Sequence, residues 1–376
     1  MGGGVSAHGA VTGLRRAGFR DRVLLLGGEK DPPYQRPPLS KRYLLGEVGR
    51  EELMLPPLEA ELRLGAEVIE IDVEARAVRL ADGERLGYRR LLIATGARPR
   101  RLAMEGGLYL RQIADADRLR QLLWSRAPLE VVGAGFIGCE VAAMARTLGV
   151  PVTLYEALPQ PLLRVLGPEL GEWLAGVHRE HGVDLRTGVS GAPEPGHATL
   201  VAVGSQPNTE LAEAAGLACQ GGIQVDATGL TSVPDVYAAG DCARFWSPSL
   251  QEEVRVEHFQ TAIRHGEAVG ATMAGLEAPF EEVPWFWSDQ YRLNIQYAGA
   301  GLPWDEMVVR GRFGVPPFTV FYLEAGRLRA AAGVNDGRTV SRARRLLGAG
   351  TDVPGKLLRQ ALADPSRDLR TLTRQR

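Results

Sequence analysis

Glu130-Val131-Val132-Gly133-Ala134-Gly135-Phe136-Ile137-Gly138 is the stretch on which the fold turns. It predicts a strand over 130–132, a GxGxxG turn over 133–138, a helix over 139–148 and a second strand over 152–155 that leads to Glu156. Strand, glycine turn and helix in that order form a dinucleotide-binding unit. Its glycines permit a tight turn and bring backbone N–H groups to a pyrophosphate at the helix N-terminus, where unpaired donors and the helix dipole favour an anion. Glycines serving only as turns would read the same, but Glu156 lies 18 residues after Gly138, where an acid takes the adenosine ribose hydroxyls. A carboxylate there accepts from a ribose diol and repels a 2'-phosphate, which predicts NADH over NADPH.

A second, weaker copy precedes it. Gly2-Gly3-Gly4-Val5-Ser6-Ala7 opens a helix running to about Arg16, and a short apolar strand over 22–26 ends in Gly27-Gly28-Glu29. Gly2 and Gly4 hold the first two glycine places, Ala7 the third, where alanine is permitted, and Glu29 follows Ala7 by 22 residues. Two such units imply two dinucleotides. Met1 stands where the last apolar residue of a first strand is expected, so a strand of about five or six residues is expected upstream, lost if a valine GTG codon was taken as the start. Met1-Gly2 with Ser6 also fits a short myristoylation pattern, which the glycine-rich loop explains as well.

Outward from the two copies, residues 67–80 alternate like a hairpin closed by Asp82-Gly83, and Leu91-Leu92-Ile93-Ala94 reads as a buried strand entering Thr95-Gly96. From Pro284 the character changes. Trp285, Trp287 and Trp304 come ahead of alternating strands such as 318–323, with helices near 342–347 and 356–362. The fold class is therefore α/β, with two Rossmann-like dinucleotide-binding domains and a C-terminal α+β domain.

A length of 376 residues agrees with two or three domains at roughly 150 residues each. The 45% hydrophobic and 24% charged residues match soluble globular chains. No apolar run nears the roughly 18 residues of a spanning helix, and no charged region followed by an apolar stretch opens the chain, so a cytoplasmic protein without a membrane partner is expected. Cys139, Cys219 and Cys242 are far apart, which implies neither a disulfide framework nor a CxxC metal site. The net charge of −1 hides a gradient: residues 301–376 hold 14 Lys/Arg against 7 Asp/Glu. Such a basic segment suits an acidic docking partner or is a solvated arginine-rich face. A pI near 6.6 argues against nucleic-acid binding. Among 44 basic residues the only lysines are Lys30, Lys41 and Lys356, so a lysine stands out.

Five further motifs occur in order: Pro33-Tyr34-Gln35-Arg36-Pro37-Pro38-Leu39-Ser40-Lys41; Ala94-Thr95-Gly96; Val203-Gly204 with Pro207-Asn208-Thr209; Tyr237-Ala238-Ala239-Gly240-Asp241; and Pro284-Trp285-Phe286-Trp287-Ser288-Asp289-Gln290. With the glycine turns, they resemble nearly end to end the FAD-dependent ferredoxin reductases that serve oxygenases, near the rubredoxin-reductase and apoptosis-inducing-factor branch. The resemblance implies a glutathione-reductase-like arrangement, with an FAD domain of residues 1–102 and 214–282, an NAD domain of 103–213 and a C-terminal domain of 283–376. It implies FAD contacts from Gly2, Gly4, Ala7, Glu29, Arg36, Lys41, Ala94, Thr95, Gly96, Asp241 and Trp287, and NAD contacts from Gly133, Gly135, Gly138, Glu156 and Gly204. Asp241 would bond the ribityl chain and Trp287 would lie against the isoalloxazine; a helix cap and a core tryptophan are the plainer readings.

Lys41 and Glu140, with Trp287, are the candidates for the redox chemistry. In the family the matching lysine and glutamate pair beside flavin N5, where a cation stabilises the reduced flavin. A surface lysine and a glutamate favoured by the helix dipole are the alternative. Disulfide-reducing relatives place paired cysteines beside the flavin, and this chain has none. Cys139 and Cys242 read as small buried fillers, so electrons leave the flavin directly. Three departures from the family stand out: the absent first strand, a short run from Gly188-Val189-Ser190 to Ala198, and Phe259 where Arg255-Val256-Glu257-His258 would usually lead to tryptophan. His258 and His265 read as ordinary helix residues. The expected function is hydride transfer from NADH to FAD and single-electron delivery to a small acidic iron–sulfur ferredoxin, or a rubredoxin, by a monomer or weak dimer. An NADH oxidase or other flavin reductase, and a redox-gated interaction protein like apoptosis-inducing factor, are the competing readings.

Overall fold

The computed structural model describes residues 1–189, 197–301, 303–350 and 353–373. The chain forms two compact units, one of Met1–Gln35, Met54–Arg98 and Gln206–Trp285, the other of Arg36–Leu53, Pro99–Ser205 and Phe286–Arg376.

In the first unit the strand Leu24–Gly27 pairs in parallel with Glu61–Leu64, and Leu91–Ile93 with Val236–Ala238. Between these pairs runs the backbone of Met1-Gly2: Gly2 N donates to Leu26 O and Ala94 N to Met1 O, both at 2.8 Å. Strand residues alternate between two cores, as a sheet covered on both faces requires. Leu25, Leu92, Ala94 and Tyr237 pack with Ala7, Val11 and Leu14 of the Val5–Arg16 helix, whereas Leu26, Leu91, Ile93 and Val236 pack with Val68, Ile71 and Val78. The latter group belongs to a meander. Val68–Asp72, Ala77–Leu80 and Arg85–Gly87 form two successive hairpins, so Asp82-Gly83 closes the second and not the one over 67–80. The first hairpin turns at Arg76, at φ 51°, a turn without the glycine signal that marks the second.

The Val5–Arg16 and Phe259–Met273 helices approach backbone to backbone. A Cβ on Gly9 or Gly13 would fall 2.3 Å from Ile263 O or 2.0 Å from Glu267 O, and one on Gly266 or Gly270 would fall 2.1 Å from Ser6 O or Ala10 O. Each helix thus places two glycines four residues apart on the face that meets the other.

The second unit holds a four-stranded parallel sheet in the order Val183–Thr187, Val152–Glu156, Leu129–Val132, Ala198–Val201. Its glycine-turn helix spans Phe136–Thr147, so it starts three residues before the expected 139. Gly138 lies inside the first helical turn, where a Cβ would meet Gly133 O at 2.0 Å; the third glycine serves close packing and not the bend. A five-stranded sheet follows in the order Trp285–Gln290, Leu293–Ala298, Arg327–Val334, Phe318–Glu324, Glu306–Arg310, so Trp285 and Trp287 lie on its first strand and not ahead of the strands. Residues 318–323 do not alternate in burial, because both faces are covered. Phe321 and Leu323 pack with Ala343 and Leu346 of the Gly337–Ala349 helix, and on the other face Phe318 meets Trp173 while the Tyr322 hydroxyl donates to Leu166 O at 2.8 Å. Among the described residues, no helix is long and apolar enough to cross a membrane. The short run noted after Gly188 falls largely outside the described residues.

Candidate functional site

In the first unit, Gly2 is at φ 113° and a Cβ on it would fall 2.1 Å from Ala94 O, so only glycine passes this point. Gly4 is the extended N-cap of the Val5–Arg16 helix. It has open space before it, no described side chain caps the helix, and the first turn holds no acid. Its leading N–H groups are therefore available to an anion. Ser6 Oγ in the same turn is buried and has no hydrogen-bond partner among the described residues. A buried hydroxyl without a partner is costly, and a ligand oxygen at this helix end would satisfy it. Ala7 lies behind the turn, 4% exposed.

The other residues assigned to FAD gather from distant parts of the chain. Gly240 meets the same first turn, since its Cβ would fall 2.8 Å from Ser6 Cβ, and this brings the half-buried Asp241 to the turn. Arg255 Nη1 holds the Asp241 carbonyl at 3.1 Å. Glu29, two residues beyond the Leu24–Gly27 strand, accepts from the Tyr34 hydroxyl at 2.6 Å. Ala94-Thr95-Gly96 is locked by Asn208: Thr95 Oγ1 donates to Asn208 O and Asn208 Nδ2 to Thr95 O, both at 2.8 Å, and Asn208 N to Gly96 O at 3.0 Å. His265 is buried inside the Phe259–Met273 helix, stacked on Phe280, whereas His258 is the N-cap of that helix. Burial lowers both imidazoles to about 4, so they are neutral at pH 7.

In the second unit the turn repeats the same design. Gly133 is at φ 102° with its Cβ position 2.5 Å from Ala202 O, and Gly135 is an extended N-cap with no described side-chain cap. Glu156 comes to the turn at the end of its strand, where Oε2 accepts from Ala134 N at 2.8 Å and Oε1 from Leu158 N at 2.9 Å. Those bonds fix the carboxylate and leave lone pairs for a diol. Gly204, at φ 99°, accepts from Arg100 N at 2.9 Å. Arg36 Nη1 donates to Arg111 O at 2.6 Å.

Lys41 and Glu140 meet in a buried ion pair. Lys41 Nζ is 2.7 Å from Glu140 Oε2, with side chains 9% and 4% exposed. Because the helix starts at Phe136, Glu140 falls in its second turn, not in the first as its place two residues after the glycine turn suggests, and it is buried. Ser40 Oγ donates to the same Oε2 and Ser288 Oγ to Oε1 at 2.7 Å, so the carboxylate's three partners among the described residues are buried donors. Trp287 is half-buried on the Trp285–Gln290 strand, adjacent in sequence to Ser288 and therefore on the opposite strand face. Cys139, beside Glu140, is buried and free, and burial pushes its thiol well above the usual range. Cys242 and Cys219 are also free, with thiols raised for the same reason.

Sequence reasoning missed Ser40, Ser288 and Asn208 as site residues. Ser288 was the most readable: Ser288 and Gln290 are two apart on a strand and so share a face, and both are fully buried.

The chain matches known proteins over nearly its whole length. Residues 1–192 and 190–266 match the pyridine nucleotide-disulphide oxidoreductase family, and residues 285–373 match the reductase C-terminal family. The ferredoxin–NAD(+) reductase component of the anthranilate 1,2-dioxygenase system of Burkholderia cepacia is 38% identical, covering 99% of this chain and 98% of that one. Rhodocoxin reductase of Rhodococcus erythropolis is 36% identical over 98% of this chain and 92% of its own. The solved covalent putidaredoxin reductase–putidaredoxin complex superposes at a TM-score of 0.92 with 32% identity, covering 99% and 96% of the two chains. The chain belongs to the pyridine nucleotide-disulphide oxidoreductase family, among its ferredoxin reductases with a reductase C-terminal domain.

Proposed function

We propose that the protein takes a hydride from NADH onto FAD and passes electrons singly to a small, acidic iron–sulfur ferredoxin that serves an oxygenase, acting in the cytoplasm as a monomer or weak dimer. FAD is the group that accepts a two-electron hydride and releases electrons one at a time. Residues 1–102 with 214–282 form its domain, residues 103–213 the NAD domain and residues 283–376 the C-terminal domain. The Gly2 and Gly4 turn and Ser6 hold the FAD pyrophosphate, Glu29 the adenosine ribose and Asp241 the ribityl chain; Ala94-Thr95-Gly96, Arg36 and Trp287 are further FAD contacts. Gly133 and Gly135 hold the NAD pyrophosphate at a helix end that Gly138 lets pack closely, Glu156 holds the ribose diol, and Gly204 lines the approach. Lys41 supplies a fixed cation, and Glu140 keeps it in place.

The observation that carries the reading is the state of the cysteines. Cys139, Cys219 and Cys242 are all free, so the protein has no disulfide to receive the electrons and hands them to an external acceptor. Support for an acidic acceptor comes from the basic C-terminal segment, where Arg312, Arg338, Arg345 and Lys356 are exposed. The test is NADH oxidation with a panel of ferredoxins and rubredoxins, run anaerobically across salt concentrations and repeated in air without an added carrier. Fast, salt-sensitive reduction of an acidic ferredoxin is the expected result. Turnover that needs only dioxygen would replace the reading with an NADH oxidase, and slow turnover with ligand-dependent dimerisation would replace it with a redox-gated interaction protein.

A further inference from the structure

A line of buried polar side chains leads away from Glu140. Ser288 Oγ donates to Glu140 Oε1 at 2.7 Å, Gln290 Nε2 donates to Ser288 Oγ at 3.2 Å, and Gln290 Oε1 meets His178 Nε2 at 3.0 Å. On the far side of the imidazole, Nδ1 meets the Tyr291 hydroxyl at 3.0 Å, and the Tyr291 ring stacks on His181 with centroids 3.6 Å apart. Ser288, Gln290 and His178 are fully buried, Tyr291 is half-buried and His181 is exposed. The line therefore joins the ion pair to the surface within the second unit.

One carboxylate oxygen sets the direction of every bond. An ionised carboxylate only accepts, so Ser288 spends its single O–H on Glu140 and offers lone pairs to Gln290. The Gln290 amide nitrogen must then face Ser288, which turns its carbonyl to His178. That carbonyl only accepts, so the imidazole carries its proton on Nε2, and Nδ1 accepts from Tyr291. Four hydrogens thus point one way, toward Glu140. Hydrogen bonds aligned in this manner polarise one another in a low-dielectric interior. The amide in the middle does not shuttle protons, so the line orients groups and does not conduct protons.

The outer end is held against a backbone preference. Tyr291 is at φ 56°, a left-handed conformation that a bulky residue adopts at a cost of roughly 1–3 kcal/mol and that glycine or asparagine would suit better. The tyrosine nevertheless occupies the turn after the Trp285–Gln290 strand, and its hydroxyl closes the line on His178.

We propose that His178 is a positioning residue: as the neutral Nε2–H tautomer it orients Gln290 and Ser288, which occupy Oε1 of Glu140 and leave Oε2 for Lys41 and Ser40. The inference rests on the reading of Lys41 and Glu140 as the pair that serves hydride transfer. Without the line, Oε1 of Glu140 loses its donor and the carboxylate is held through Oε2 alone, which places the ammonium less firmly.

The first test needs no turnover. Long-range proton–nitrogen correlation spectra of ¹⁵N-labelled, FAD-loaded, oxidised protein report the tautomer of each histidine. His178 is expected with a protonated Nε2 and a bare Nδ1, and Glu140→Gln is expected to shift it toward the other tautomer, because an amide at 140 lets Ser288 turn. An Nδ1–H tautomer in the parent, or His178 signals indifferent to Glu140→Gln, would overturn the proposal. The second test is stopped-flow flavin reduction. His178→Phe is expected to slow it about tenfold, less than the roughly hundredfold that a full 1 Å misplacement can cost, with the Kd for NADH within about twofold. Tyr291→Phe, which removes only one hydroxyl and keeps the fold if His178→Phe does not, is expected to slow it less. Unchanged rates in the variants that fold would count against positioning. Lys41→Met separates the two ideas. If it leaves flavin reduction unaltered, the reading of the ion pair fails, whereas the tautomer response to Glu140→Gln still decides whether the line is coupled.

Discussion

Replacing Lys41 by methionine keeps most of the side-chain volume but strands the Glu140 carboxylate in a site where both side chains are under a tenth exposed. Removing one member of a buried pair costs about 3–5 kcal/mol, because the remaining charge loses its partner without regaining water. Here the Ser40 and Ser288 hydroxyls stay on Glu140, which places the expected loss at the lower end, about 3 kcal/mol. Glu140→Gln strands Lys41 in turn, whose other acceptors among the described residues are only the distant Pro37 O at 3.3 Å and Ser40 Oγ at 3.4 Å, and costs a similar amount. The double variant removes both charges and should cost no more than either single, a coupling of about 3 kcal/mol. For a unit of this size that corresponds to a melting shift of roughly 6–12 °C for each single variant. Scanning calorimetry of the FAD-loaded parent, the singles and the double measures it, and stopped-flow reduction by NADH should be slower in Lys41→Met with FAD still bound. Singles that melt within a degree or two of the parent, or losses that simply add in the double, would refute the pairing argument. An unchanged reduction rate would refute the catalytic one.

Other outcomes follow from the same geometry. Glu156→Ser removes the carboxylate that would repel a 2'-phosphate, so the ratio of kcat/KM for NADH over NADPH should fall by about tenfold or more; equal efficiency with both cofactors in the parent would reject the assignment. Stability should fall on acidification between about pH 6.5 and pH 4. Burial holds His178, His258 and His265 near 4 in the folded state while the unfolded imidazoles titrate near 6.5, so the unfolded chain takes up protons first, at on the order of 3 kcal/mol for each. A melting temperature flat from pH 8 to pH 4.5 would contradict this. Gly266→Ala adds a methyl 2.1 Å from Ser6 O, and overpacking of about 1–3 kcal/mol should outweigh a helix-propensity gain of up to about 1 kcal/mol. The expected result is a lower melting temperature and weaker FAD retention; a more stable variant would show that the two helices can part.

How much of this was legible in the sequence depends on how local each signal is. Glycine turns, the helices after them and the acids that follow are local patterns: each turn leads into a helix, Glu156 ends its strand, and Glu29 lies two residues past the Leu24–Gly27 strand. Boundaries were less readable. The helix over Phe136–Thr147 begins inside the motif because Gly138 is a packing residue, and the spacing of letters does not separate a glycine that bends from a glycine that yields space. The burial of residues 318–323 on both faces was not visible either, because a covering layer comes from distant chain such as Trp173 and Leu166.

The candidate pair shows the same division. A rare lysine after Pro37-Pro38-Leu39-Ser40 and a glutamate after a glycine turn could be matched to a family, but ninety-nine residues separate Lys41 from Glu140. That they meet at 2.7 Å, share Ser40, and continue through Ser288, Gln290 and His178 is a result of packing. The glycines at 9, 13, 266 and 270 are alike: each pair is a visible four-residue spacing, yet only the folded chain shows that the two faces meet. Sequence by itself determined the local units, since turn geometry, helix ends and alternation depend on neighbouring residues. Tertiary structure decided which polar groups share one buried space, because burial and hydrogen-bond direction depend on residues far apart in the chain.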